Sequence, residues 1–424
     1  MEKVFLFKAE GYDPRWIEAG IKQAAQALLV SLPAQGDVFL HVDCPWADSR
    51  FAPHAHTHPA MIEGVAKALS GASLSLGGCS LPYFPTRYSF KQAGYDALAR
   101  KLDAELVAFE EVATRQVELG GTAVVNKQVG LPSAWDQAAF RISLPKLRCS
   151  TLVSFAGALR HMQSLLSQAA QVTDSHRLPE KMVDLLPTVS PNLIVVDAIH
   201  ALHKGGELSG EPVELGLIII GTHPLAVDVV CAVLLGLEPP RVDFFGEAAS
   251  RGLGPSSLDE IELLGDLTLD EVRSLSQKVQ MVDPDPVHYV LPKQVKILRS
   301  EKARQAGSSG NLTDVLSLIE RSGVSLKSAT EATIVIGAVA QIPPPTSDTA
   351  TLIFIDDTSR GEYTGYSRIV RLPGRNIPIS QMLNDVPYAL KVINLRAELG
   401  AGYLTAKLGS NLTRIVRRML GGKV

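Results

Sequence analysis

Long apolar runs are missing from this sequence. None of its 424 residues lies in a stretch approaching the roughly 18 to 20 apolar positions that a membrane-spanning helix requires. Cysteine is scarce. Cys44, Cys79, Cys149 and Cys231 stand far apart, and no C-x-x-C occurs. That excludes a zinc or iron–sulfur cassette read from local spacing and gives no disulfide framework. An excess of one charge is missing as well. With 41 basic and 44 acidic residues the net charge is −3, so the chain as a whole is not built to hold a polyanion, and no nucleic-acid partner is expected. The familiar glycine and catalytic signatures are also absent: there is no G-x-x-x-x-G-K-S/T, no G-x-G-x-x-G after a strand, no G-x-S-x-G and no H-E-x-x-H. Nucleotide binding through a standard glycine loop is therefore not expected. The opening MEKVFLFKAEGYDP reaches an Asp-Pro turn too soon to contain the apolar core of a signal peptide, which points to a cytoplasmic protein.

What remains is ample material for a core, 46% hydrophobic against 20% charged residues, in a length that suggests two or three domains. Short β-branched runs alternate with helical stretches: Val4–Lys8, a helix opened by Asp13-Pro14 and running to about Leu32, Val38–Val42, and a helix opened by His58-Pro59. Further strands are expected at Leu74–Leu76, Leu106–Phe109 and Phe140–Leu144. Leu193–Val196 and Leu215–Ile220 read as strands buried on both faces. The expected fold class is α/β, a mostly parallel sheet flanked by helices, with a smaller irregular α+β C-terminal region. The turn-rich Asp283-Pro284-Asp285-Pro286 and the polar Ser300–Gly310 divide residues 1–290 from an appended region, 300–424, that ends in a basic amphipathic helix.

Ligands in such sheets sit at the carboxyl ends of strands, which points to Asp43, Ser143–Lys146, Asp197–His203 and Gly221–His223. Four constellations follow. His54-Ala-His56-Thr-His58 places alternate imidazoles on one side of an extended segment, suited either to a metal ion or simply to leading into a helix. Asp197, His200 and His203 precede Gly205-Gly206, where backbone amides could approach an anion and Asp197 could orient a histidine; Asp197 could equally cap a turn. Lys146, Arg148, Arg160 and His161 put four cationic or potentially cationic side chains after one strand, a clamp for carboxylate or phosphate. Asp228 lies in the apolar run Val227–Cys231 and needs a partner if buried.

These segments resemble the domain-of-unknown-function 362 family (DUF-362). The resemblance runs from about residue 4 to 265 and is carried by Thr57-His58-Pro59, Ile142-Ser-Leu-Pro-Lys-Leu-Arg148, Gly157-Ala-Leu-Arg160, Val195-Val-Asp197, Gly221-Thr-His-Pro-Leu-Ala-Val-Asp228 and Ala249–Gly254. There are departures. The family usually has Lys-Pro-Asn where this chain has His41-Val42-Asp43, a histidine at Ser150, Lys-Asn at Arg160-His161, and an aspartate at His223. Many relatives carry a ferredoxin-like cassette for two 4Fe–4S clusters, but no cysteine follows Cys231 here, so an iron–sulfur cofactor is not expected.

The sequence thus points to a small anionic ligand, with or without a metal, in a cleft at the strand ends. Lys146, Arg148, Arg160, His161, Gly205 and Gly206 would hold the ligand. Asp43, Asp197 and Asp228 would act as acid, base or ligand groups, and His58, His200 and His223 would hold a metal. The competing reading is a non-catalytic member acting as a partner-binding or membrane-peripheral scaffold. Residues 400–424 bear on it: they carry five basic residues and no acidic ones, and Leu404, Leu408, Leu412, Ile415, Val416 and Met419 recur at helical spacing. Such a segment can pack on its own core, or make a weak peripheral contact with a membrane or another protein.

Overall fold

The computed structural model describes residues 1–303, 307–375, 377–392 and 399–419. In chain order the first strands are β1 (Glu2–Lys8), β2 (Asp37–Val42), β3 (Ser73–Gly78) and β4 (Glu105–Ala108), followed by β5 (Thr114–Glu118) and β6 (Gln128–Pro132), which pair with each other. Then come β7 (Phe140–Leu144), β8 (Lys146–Cys149), β9 (Phe155–Ala156), β10 (Leu193–His203), β11 (Glu211–Gly221) and β12 (Ile261–Gly265). Apart from the β5–β6 pair these form one ten-stranded sheet, with the order β12-β1-β11-β10-β7-β2-β3-β4 and with β8 and β9 beside β10.

The sheet is mostly parallel: β10, β7, β2, β3 and β4 run together, as do β12 and β1. Its central strands are buried along their apolar runs, Val38–Val42, Ile142–Leu144, Leu193–Ile199 and Leu217–Ile220, as expected of strands between two helical layers. One face packs on the helices Pro14–Ala27 and Pro59–Ala68. The other packs on Pro224–Leu234, whose residues are all buried. Both proline-opened helices start where expected, Asp13 accepting from the Arg15 amide and His58 from the Ala60 amide.

One strand direction differs from expectation. β10 does not stop at Val196 but continues to His203, and β11 returns antiparallel beside it. The connection, residues 204–210, is too short for the crossover that a parallel neighbour needs. This reversal carries Gly221–His223 to the edge opposite Asp197, since Gly221 pairs with Ile194.

The second sheet consists of β13 (Val295–Arg299), β14 (Ala332–Gln341), β15 (Thr351–Glu362) and β16 (Arg368–Leu372), all parallel and in sequence order. Helix Gly307–Arg321 lies between β13 and β14, and helix Ile379–Ala389 follows β16. The core here is shared: Val315, Ile319, Ile334 and Met382 cluster with Leu202 at the end of β10 and with Trp46, Phe84 and Leu208 from the first sheet's loops.

Candidate functional site

Where β2, β7, β8 and β10 approach their common edge, the sequence puts charged residues directly after apolar ones, so they fold into a nearly dry rim. Asp43, Lys146, Arg148 and Asp197 are all buried. Lys146 Nζ lies 3.0 Å from Asp197 Oδ2, and the Lys146 amide donates to Asp43 Oδ2 at 3.1 Å. Arg148 donates to the same Asp43 oxygen at 2.7 Å and to the Ala55 carbonyl at 2.8 Å. Tyr12, from the loop after β1, completes the network. Its hydroxyl donates to Asp197 Oδ1 at 2.8 Å and accepts from Lys146 Nζ at 3.0 Å. The His58 amide donates to Asp197 Oδ2 at 3.0 Å.

Burial pushes the Lys146 ammonium below the ordinary lysine range, with Asp197 pulling the other way. Burial and then the Asp197 charge raise the Tyr12 phenol far above its usual range, so it stays a donor. Each cation therefore has its own carboxylate. A ligand anion here would have to compete with Asp43 or Asp197, and breaking a buried pair is costly. The cationic clamp expected of Lys146 and Arg148 is internally neutralised.

The same holds for Arg160, which meets Glu207 through Nε at 3.0 Å and Nη2 at 3.2 Å and donates to Gln163 at 2.7 Å. His161 joins a different cluster. Its ring stacks on His41 at 3.8 Å, with Ser143 Oγ 2.9 Å from His161 Nδ1 and Ser164 Oγ 2.8 Å from His41 Nε2. Both imidazoles are fully buried and kept neutral, that of His161 pushed down to about 4. Gly205 and Gly206 do sit where an anion is received, but the anion is Asp314 of the second unit. Its carboxylate accepts from the Leu208 and Ser209 amides at 3.2 and 2.9 Å, and a Cβ on Gly206 would lie only 2.6 Å from its Cγ.

Two expected site residues sit apart from the rim. Asp228 is fully buried in helix Pro224–Leu234, where it accepts from the Ala158 and Leu159 amides at 2.6 and 2.9 Å. It tethers one helix to another. His223 stands at the opposite edge, its ring against Gly254, because β11 runs antiparallel. Of the expected metal ligands, His58 stacks on Tyr12 at 3.8 Å and His200 meets Tyr12 edge-on at 5.3 Å. His58 Nδ1 is occupied by the Ala60 amide at 3.2 Å. Among the described residues no three His, Cys, Asp or Glu side chains are grouped to hold a metal ion. The four cysteines are buried free thiols.

Sequence reasoning missed Tyr12, Glu207 and Asp314. Tyr12 had a signal, an aromatic directly before the Asp13-Pro14 helix start at a strand's carboxyl end. Asp314 had none, since its partners lie more than a hundred residues away.

Beside Arg160 and Glu207 lies a small cavity of about 80 Å³, bounded by Gln163, Asp314 and the apolar Leu81 and Leu178. A second candidate surface is the helix Gly400–Met419. It packs through Tyr403, 5.1 Å from the Phe84 ring and 5.9 Å from that of Tyr88. Its leucine stripe does not pack: Leu404, Leu408, Leu412, Ile415, Val416 and Met419 are all exposed, Leu408 by 69%. The small and aromatic face is inside and the aliphatic face outside.

Residues 38–233 match the model of the family described as Domain of unknown function (DUF362). This segment belongs to the DUF362 family. The DUF362 segment contains β2 through β11 and the buried rim except for Tyr12; the second sheet and the Gly400–Met419 helix lie beyond it. The Thylakoid-associated protein sll1697 of Synechocystis sp. is 21% identical over 273 residues, 61% of this chain and 82% of that protein. Among solved structures, the lactate racemase apoprotein from Thermoanaerobacterium thermosaccharolyticum matches with a TM-score of 0.33 at 12% identity, covering 68% of this chain and 94% of its own. A structural-genomics protein from Thermotoga maritima matches with a TM-score of 0.31 at 9% identity, covering 80% and 70% respectively. No helix among the described residues is long and apolar enough to cross a membrane.

Proposed function

We propose that this DUF362 protein works at an anionic membrane surface, with helix Gly400–Met419 as its attachment and the α/β body on the cytoplasmic, aqueous side. The observation that carries this reading is the exposed aliphatic stripe on a helix without a single acidic residue. Lys407 and Arg417 are exposed on the same helix, and Arg414, Arg418 and Lys423 add charge to the segment. Such a helix buries its apolar face at the headgroup boundary, and each cation near an anionic bilayer contributes about 1 kcal/mol. Attachment of this kind is weak, reversible and salt-sensitive. A relative named for association with a thylakoid agrees with the reading.

Vesicle flotation tests it. The protein is expected to float with phosphatidylglycerol-containing vesicles at low salt, to be released at high salt and to ignore phosphatidylcholine vesicles. Leu408→Glu with Leu412→Glu should abolish flotation. If wild type stays unbound on the anionic vesicles, or the double variant binds equally well, the reading fails. Self-association without lipid that the double variant removes would also overturn it, by making the stripe a dimer face.

The cavity beside Arg160 favours a second reading, a small anionic ligand held there in competition with Glu207. On that reading small carboxylates or phosphates raise the melting temperature of wild type and not of Arg160→Gln; equal shifts in both would remove it.

A further inference from the structure

The carboxyl ends of the second sheet open onto a cleft of about 1380 Å³, ample for a ligand the size of a mononucleotide. Its walls come from the ends of all four strands: the segment after β13, Gly337 in β14, Asp356–Arg360 in β15 and Pro373–Arg375 after β16. The opposite wall is the 169–176 segment of the first unit together with Tyr83. Strand order and direction put this opening where parallel sheets receive ligands.

Three cations reach the cleft from three different segments, Lys302, Arg360 and Arg375. Among the described residues none of the three is paired with a carboxylate or hydrogen-bonded to an acceptor. The acids beside them are mostly engaged. Glu301 lies 3.6 Å from Arg299, Asp356 accepts from the Thr358 amide and hydroxyl at 2.9 and 2.6 Å, and Asp357 accepts from the Gly374 amide at 3.0 Å. Asp174, exposed on the far wall, is the remaining acid.

Strain converges on the same place. Tyr83, Asp174 and Asp356 have φ of 64°, 50° and 68°. For an aspartate that is affordable, but a bulky tyrosine in the left-handed region is a true outlier, and such outliers gather at ligand sites. The strained Tyr83 backbone holds a ring 54% exposed at the cleft wall. A flat, exposed ring offers a stacking surface, and unpaired guanidinium groups offer bidentate donors to phosphate oxygens.

We propose that this cleft binds a phosphate monoester carrying a flat ring, the chemistry of a mononucleotide, with Arg360, Arg375 and Lys302 on the phosphate and Tyr83 against the ring. The three cations lie beyond the DUF362 segment, whereas Tyr83 and the 169–176 wall lie within it; the site is independent of membrane attachment.

Isothermal titration with AMP, ribose 5-phosphate and inorganic phosphate tests the proposal on the full chain. AMP should bind saturably, and ribose 5-phosphate more weakly. Arg360→Gln with Arg375→Gln, both at exposed positions, should weaken AMP by about tenfold or more through lost charge-assisted hydrogen bonds. Tyr83→Gly relieves the backbone rather than straining it. It should weaken AMP toward the ribose 5-phosphate affinity while leaving ribose 5-phosphate unchanged. No saturable AMP binding at millimolar concentration overturns the proposal, as does AMP affinity unaltered in the double arginine variant or in Tyr83→Gly.

Discussion

The two sheets both present carboxyl strand ends to a polar edge, and they treat charge there in opposite ways. At the first edge Lys146, Arg148 and Arg160 are each bound to a carboxylate, Asp197, Asp43 and Glu207, with Lys146 and Arg148 buried. At the second edge Lys302, Arg360 and Arg375 are exposed and free of such partners among the described residues. A count of basic residues after strands, the argument available from sequence, favours the first edge as the anion site. The structure adds what counting leaves out. A cation that folds beside its own acid meets a ligand only in competition with that acid.

If that contrast is right, the largest effect belongs to the first edge. Asp197→Ala would leave Lys146 buried without its counter-ion and strip an acceptor from Tyr12 and the His58 amide. It should cost about 3–5 kcal/mol in denaturant unfolding. A loss below about 1 kcal/mol would mean that water already reaches Lys146, and the two edges would no longer differ in kind.

The pH response sharpens the comparison next. His161 is held neutral by burial, with a pKa of about 4. Its unfolded form takes a proton near pH 6.5, so stability present above that pH is lost as pH falls from 6.5 toward 4. The limit is about 3–4 kcal/mol. Asp228 and Asp314, pushed by burial up to about 7 and about 6, have the opposite sign and gain stability over the same fall. Comparing wild type with His161→Gln at pH 7 and pH 5 isolates the histidine. The variant should lose less stability on acidification, and parallel losses would show that His161 titrates normally.

A smaller effect is expected at the joint between the sheets. Asp314→Ala removes two acceptor contacts with the Leu208 and Ser209 amides and should cost about 1–3 kcal/mol. Hydrogen exchange should speed up at those amides, and unchanged protection would show that they find other acceptors. Smallest of all, Arg360→Gln should change unfolding stability by no more than about 0.5 kcal/mol, as befits an exposed side chain. A larger loss would reveal a structural partner and erase the contrast.

Much of the first sheet was legible. Apolar runs such as Val38–Val42 and Leu193–Val196 can be little else than buried strands, and Asp13-Pro14 and His58-Pro59 announce helices through local chemistry alone. Direction was not legible from hydrophobicity: Leu215–Ile220 is as apolar as the parallel strands of the same sheet, and only the short 204–210 link tells that it returns. The rim residues Asp43, Lys146, Arg148 and Asp197 could be located because they directly follow such runs. Their pairings could not, because a side chain's partner depends on strand order. The Gly400–Met419 helix shows a different limit. Its amphipathic period could be read, but which face turns inward is decided by Phe84 and Tyr88, far away in the chain.

The Asp314 contact carries a consequence in time. The Leu208 amide and the carboxylate that accepts from it are separated by 106 residues. At about 5–20 residues per second of synthesis, the 204–210 connection leaves the ribosome several seconds before its acceptor exists. Until then its amides face water and Leu208 lacks the apolar neighbours of the second sheet. The nascent first sheet therefore stays unfinished at that corner, and a pause in translation between the two halves would lengthen the interval in which a chaperone or a protease finds it open.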